Sequence, residues 1–246
     1  MNTIIDISLI GLGVGILGTG TGGLIAFFIR SPSQRYLSMI IGISSGLMLS
    51  VVCFDLLPEA FELAELRVGV LGIVSGVFTI IWVDNLTRSV KFKSKNSANQ
   101  DFIKTGLLLG IGVAMHNFPE GLAIGSSFMA TKELGIGISI VVALHNMPEG
   151  ISMATPMSIG GMSRVKAFLF TILAGIPMGL GAFLGAMLGE ISQSFIAFCL
   201  AFAGGTMLYI TCGELIPKYQ SLKNGKASSY GLMLGFVIGI MISKSF

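Results

Sequence analysis

Residues 105–158 read TGLLLGIGVAMHNFPEGLAIGSSFMATKELGIGISIVVALHNMPEGISMATPMS. Two apolar runs, 105–130 and 134–158, flank the polar break at Thr131, Lys132 and Glu133. A helix rising 1.5 Å per residue needs about 20 apolar residues to cross roughly 30 Å of hydrocarbon. Each run is that long, so each reads as a membrane-spanning helix. Each also carries the same polar insertion, HNFPEG from His116 and HNMPEG from His145. An internal repeat of polar residues inside two apolar helices decides both the fold class and the search for a site.

The rest of the chain repeats the pattern. Further apolar runs cover 5–29, 37–57, 68–83, 165–188, 193–216 and 228–243. Of the 246 residues, 53% are hydrophobic and 11% charged, against about 25% charged in soluble domains. A water-soluble core of this size could not enclose so much apolar surface, so the bilayer is the solvent. The expected fold is an all-α polytopic membrane protein, an eight-transmembrane-helix bundle. Connections are short; the longest, 84–104, contains KFKSKNSANQD and has no room for a soluble domain, so residues 1–246 read as one domain.

Orientation follows from the basic residues. With the N-terminus outside, only Arg67, Lys132 and Lys244 of the 15 lysines and arginines face outward, and 12 face inward. Eight spans then put both termini outside and the 84–104 loop in the cytoplasm, in a plasma (inner) membrane. The opening Met-Asn-Thr-Ile-Ile-Asp lacks the basic region of a cleavable signal, so the first run reads as a retained helix. A net charge of +3 gives no reason to invoke nucleic acid. Cys53, Cys199 and Cys212 sit in apolar runs without disulfide or CxxC spacing and read as small buried hydrophobes. Gly13, Gly15 and Gly18 match G-x-G-x-x-G, but no strand precedes them; in a span, small residues let helices approach closely.

The repeat carries the chemistry. His116 with Glu120, and His145 with Glu149, are four residues apart on one helix face. Asn117 and Asn146 follow the histidines, which are the only two in the chain. Counted from the 131–132 turn, the two motifs lie within roughly 3 Å of the same depth near the midplane. Antiparallel neighbours on a short turn pack side by side, so two imidazoles and two carboxylates converge. An ionised carboxylate at the bilayer centre costs about 2.5–3.5 kcal/mol. A divalent cation removes that cost, and nitrogen with oxygen ligands suits zinc, iron, manganese or cadmium. Pro119 and Pro148 leave the carbonyls of Met115 and Leu144 without their helical donors, available to a metal, water or a neighbouring helix.

These residues resemble the ZIP (Zrt-, Irt-like protein) family of metal transporters, in particular its bacterial zinc-uptake branch. The resemblance covers the whole chain in span number and orientation and is most specific at HNFPEG and HNMPEG. It implies a transport site on the fourth and fifth helices. His116, Glu120, His145 and Glu149 would be ligands, the glutamates bridging two metals, with Asn117 and Asn146 completing the second position. The chain departs from the family at Met178, where many relatives have a glutamate, which argues against a strong second metal position. It departs again in CGELIP, where Glu214 remains of an acidic pair, and in the 84–104 loop, which lacks a histidine run.

Asp55 and Glu59, with Glu62 and Glu65, form a candidate acidic vestibule at the outer end of the second span; the last two also fit ordinary solvated charges. Glu214 and Asp84 are candidate contacts at the inner side. The expected activity is transport of a divalent transition metal, zinc foremost, into the cytoplasm by alternating access. Zinc is substrate and no resident cofactor is expected. Membrane lipid is the other expected partner, and a homodimer is compatible with the pattern. The competing reading, an intramembrane metalloprotease, needs a glutamate free to act as base, as in H-E-x-x-H; here Asn follows each His.

Overall fold

The computed structural model describes residues 3–28, 33–89, 98–217 and 225–245, and among them all regular structure is helical. The elements are α1 (Ile4–Phe28), α2 (Gln34–Val51), a π-turn (Val52–Leu56), α3 (Leu57–Leu63), α4 (Leu66–Ser89) and α5 (Ala98–Ala130). There follow α6 (Lys132–Ile159), α7 (Arg164–Gly189), α8 (Gln193–Leu208), a second π-turn (Tyr209–Leu215) and α9 (Gly225–Ser243). Side-chain oxygens cap several starts: Ser33, Thr131, Ser163 and Ser192 each accept a backbone N–H three residues on.

Each apolar run coincides with a helical rod. Six stretches among the described residues are long and apolar enough to cross a membrane: Ile4–Phe28, Ile41–Leu63, Lys132–Ile159, Arg164–Gly189, Gln193–Gly213 and Lys226–Ser243. Leu66–Trp82 is apolar but shorter. The 84–104 loop differs from its sequence reading, because α4 runs through Ser89 and α5 starts at Ala98. Helix propagation does not stop where the apolar residues stop; polar side chains extend it past the hydrocarbon boundary. Residues 90–97 of that loop lie outside the described residues.

The second and seventh runs are not uniform helices. Each passes into a π-turn, and Pro58 and Pro217 follow those turns. A proline ring clashes with the carbonyl four residues back, here Phe54 and Gly213, and a widened turn relieves the clash. The two turns share a motif: Cys53, Asp55, Leu56 and Pro58 match Cys212, Glu214, Leu215 and Pro217 in spacing.

Two groups of helices emerge from the packing. One contains α1, α5, α6 and α7; the other contains α2, α3, α4, α8 and α9. They meet chiefly where α5 lies on α8 and where α2 lies on α6. Close approach within the first group depends on glycine. A Cβ on Gly15 would run into the carbonyl oxygen of Gly175, and one on Gly121 into that of Met178. Thr19 adds a polar stitch, its Oγ1 lying 2.7 Å from its own helix's Gly15 carbonyl and 2.8 Å from that of Thr171 on α7. Between the groups, Ser44 Oγ on α2 donates to the His145 carbonyl at 3.0 Å.

Candidate metal site

The polar residues of the repeat sit on α5 and α6, whose antiparallel packing follows from the single residue, Thr131, that separates them. Glu120, on the turn after Pro119, and His145, just before Pro148, face each other. His145 Nε2 lies 3.0 Å from Glu120 Oε1, and both side chains are fully buried. Glu149, one turn after His145, completes the cluster. One ligand atom from each of Glu120, His145 and Glu149 can be chosen so that all lie within 4.8 Å of one another. It is the metal-type cluster found among the described residues.

Around it, polar atoms have been removed from water without receiving partners. Glu120 Oε2, Glu149 Oε2 and both amide atoms of Asn146 are buried and make no hydrogen bond. A buried polar group left unpaired costs about 1–3 kcal/mol, and more if charged. Several such atoms in one place call for a common partner. Two carboxylates beside an imidazole form an acceptor-rich set that suits a divalent cation, and they offer nitrogen and oxygen together.

Asn117 has a different setting. Its Nδ2 donates to the Ala174 carbonyl on α7 at 2.6 Å, while its Oδ1 is buried and unpartnered. The amide is thus oriented by α7, with its acceptor end available. Asn146 is buried against α1, where a Cβ on Gly18 would lie 2.7 Å from its own Cβ. His116 is half-buried and falls outside the three-residue cluster. The structure therefore gathers Glu120, His145 and Glu149 into one cluster.

Met178 is fully buried on α7 and belongs to the apolar core, while its backbone lies against Gly121, the residue after Glu120. Asp55, in the first π-turn, accepts a 2.7 Å hydrogen bond from Ser243 Oγ at the end of α9. Eleven residues of helix separate Asp55 from Ser44, the residue bonded to the His145 carbonyl, so it lies roughly 16 Å along the axis from the cluster's level. Glu59 is half-buried on α3. The Glu214 backbone lies in the second π-turn and Asp84 lies on α4; both side chains fall outside the described residues. Ser44 is the contact the sequence reading missed. Its small polar side chain on an apolar helix was the available signal, but nothing in the sequence paired it with His145.

Taken together, the architecture and the cluster define a class: a multi-pass helical membrane protein with a buried acceptor site suited to a divalent cation. The family model described as ZIP Zinc transporter matches residues 93–243, and the chain belongs to that family. It is 31% identical over 238 residues to "Zinc transporter GufA" of Myxococcus xanthus, covering 92% of this chain and 94% of that protein. It is 32% identical to "Zinc transporter ZupT" of Corynebacterium aurimucosum, with 90% of each chain covered. It is also 32% identical to "Zinc transporter ZupT" of Clostridium perfringens, with 97% of this chain and 95% of that one covered. The protein is accordingly a membrane metal transporter and not an enzyme.

Proposed function

We propose that the protein carries divalent transition-metal cations into the cytoplasm through the site formed by Glu120, His145 and Glu149. Zinc is the foremost substrate; iron, manganese and cadmium suit the same ligand types. The observation that carries this reading is the convergence of two carboxylates and an imidazole, buried, with one oxygen of each carboxylate left without a hydrogen bond. The relatives' printed names support zinc. His116, Asn117 and Asn146 supplement the three, with Asn117 and Asn146 facing a weaker second position. Met178 adds a neutral thioether there where an acid would add charge.

The proposed topology has eight spans in the inner membrane, both termini outside and the 84–104 region in the cytoplasm. The distribution of basic residues supports it, with 12 inward against Arg67, Lys132 and Lys244 outward. Asp55 and Glu59 concentrate cations at the outer mouth, and Glu214 receives them on the inner side. Alternating access exposes the site to each side in turn. The boundary between the two helix groups, where Ser44 reaches the His145 carbonyl, is the natural place for it to open. The metalloprotease reading has no support: no H-E-x-x-H is present, and both glutamates of the repeat lie in the ligand cluster.

Reconstituted vesicles enclosing a zinc-sensitive dye test the reading. The unmodified protein should load zinc. Variants Glu120→Ala and Glu149→Ala, shown to be folded and inserted, should not. Wild-type loading by both would show that transport uses another site.

A further inference from the structure

A groove of about 370 Å³ runs along the seam of α1 and α6, lined by Ile10, Val14, Phe128, Ile136, Ile140 and Ala143, with Lys132 at its end. Both helices are apolar enough to span a membrane, so the groove lies at hydrocarbon depth with its Lys132 end at the membrane surface. Its one hydroxyl, on Ser139, already donates to the Gly135 carbonyl at 2.7 Å. The trunk therefore offers a cation nothing and is not a metal path.

The mouth carries both signs of charge. A Cβ on Gly18 would touch Ala143, and one on Gly22 would touch Met147, so α1 and α6 run parallel in matched register. Carrying that register back about three turns brings Asp6 level with Thr131 and Lys132. Asp6 also precedes Ile10 and Val14 by four and eight residues, on the face that lines the groove. Lys132 is exposed, and no ion pair with Asp6 is formed among the described residues. The α6 N-terminus, capped by Thr131, adds its favourable end to an anion at Lys132. Neither Glu133, in the same turn, nor Asp6 is among the lining residues; Asp6 is placed by the register of α1, and its Oδ2 accepts the Thr3 N–H at 3.2 Å.

We propose that this groove is a binding site for one phospholipid with a primary-amine headgroup, phosphatidylethanolamine being the probe. An acyl chain fills the apolar trunk, the phosphate pairs with Lys132, and the ammonium pairs with Asp6. The headgroup matches a lysine and an aspartate at one level of two neighbouring helices better than an anionic lipid does, which Asp6 would repel. The site ends at Ala143, two residues from His145, so the lipid braces the α1–α6 seam beside the metal ligands.

The test is native mass spectrometry of the full chain, delipidated in detergent and titrated with phosphatidylethanolamine, phosphatidylcholine or phosphatidylglycerol. One phosphatidylethanolamine should bind ahead of the other two. Lys132→Gln, an exposed change that leaves the fold intact, should weaken it about tenfold. Asp6→Asn should erase the preference over phosphatidylglycerol, and Ile136→Trp should block the groove. Equal binding of all three lipids, or unchanged phosphatidylethanolamine affinity in Lys132→Gln, would reduce the groove to part of an unspecific lipid annulus and overturn the proposal.

Discussion

His145 Nε2 lies 3.0 Å from Glu120 Oε1, across the interface between α5 and α6 and away from solvent. The contact joins the second histidine of the repeat to the first glutamate, so the two copies are interlocked and do not act as separate pairs. With Glu149 one turn further on, it places two acids on one imidazole. A cation bound there gains from both carboxylates in a medium where charge pairing is strong.

The first prediction ranks the ligands. Glu120→Ala or Glu149→Ala should lower initial zinc uptake by on the order of 100-fold or more, because each removes a full charge from a buried site. His145→Ala should cost less, since water replaces a neutral ligand in part. His116→Ala should cost least of the four, because His116 stands outside the cluster. Uptake normalised to folded protein measures this. A larger loss for His116→Ala than for His145→Ala would reverse the assignment.

Metal stoichiometry gives a second prediction. Calorimetry on the unmodified protein should show one tight zinc site and at most a weak second. Met178→Glu should strengthen the second, because it adds a carboxylate on α7 where that helix's backbone lies against Gly121. Apart from metal, the same change should destabilise the protein, since Met178 is fully buried among apolar side chains. Two equally tight sites in the unmodified protein would contradict this account.

Packing of α1 on α7 is tested by Gly15→Ala. The added methyl meets the Gly175 backbone, which cannot swing aside as a side chain can. A loss of about 1–3 kcal/mol is expected, read as a lower thermal midpoint in detergent. Gly13→Ala, where a Cβ would meet nothing within 4 Å, is the matched control and should leave the midpoint unchanged.

Topology is tested at the turn between α5 and α6. In a background lacking Cys53, Cys199 and Cys212, a Lys132→Cys variant should react with an impermeant thiol reagent added outside intact cells, because Lys132 is exposed. A Ser163→Cys variant, at the start of α7, should react only after the membrane is opened. The opposite pattern would invert the orientation.

Much of this protein was legible in its sequence. Apolar runs of spanning length gave the helices, because hydrocarbon admits few other ways to satisfy a backbone. The repeated HNFPEG and HNMPEG pointed to the candidate site, because ionisable groups are too costly in lipid to recur there without use. Other features depended on the tertiary structure. The π-turns before Pro58 and Pro217 arise from a local clash whose resolution depends on neighbouring helices. The division into two helix groups depends on which glycine faces meet, and glycines occur on nearly every helix. The meeting of His145 with Glu120 turns on helix phase across an interface. The Ser44 hydroxyl on the His145 carbonyl joins residues 101 positions apart. Hydropathy and spacing specify what must lie in the membrane and how deep; they do not specify rotation about the helix axis, which packing against neighbouring helices decides.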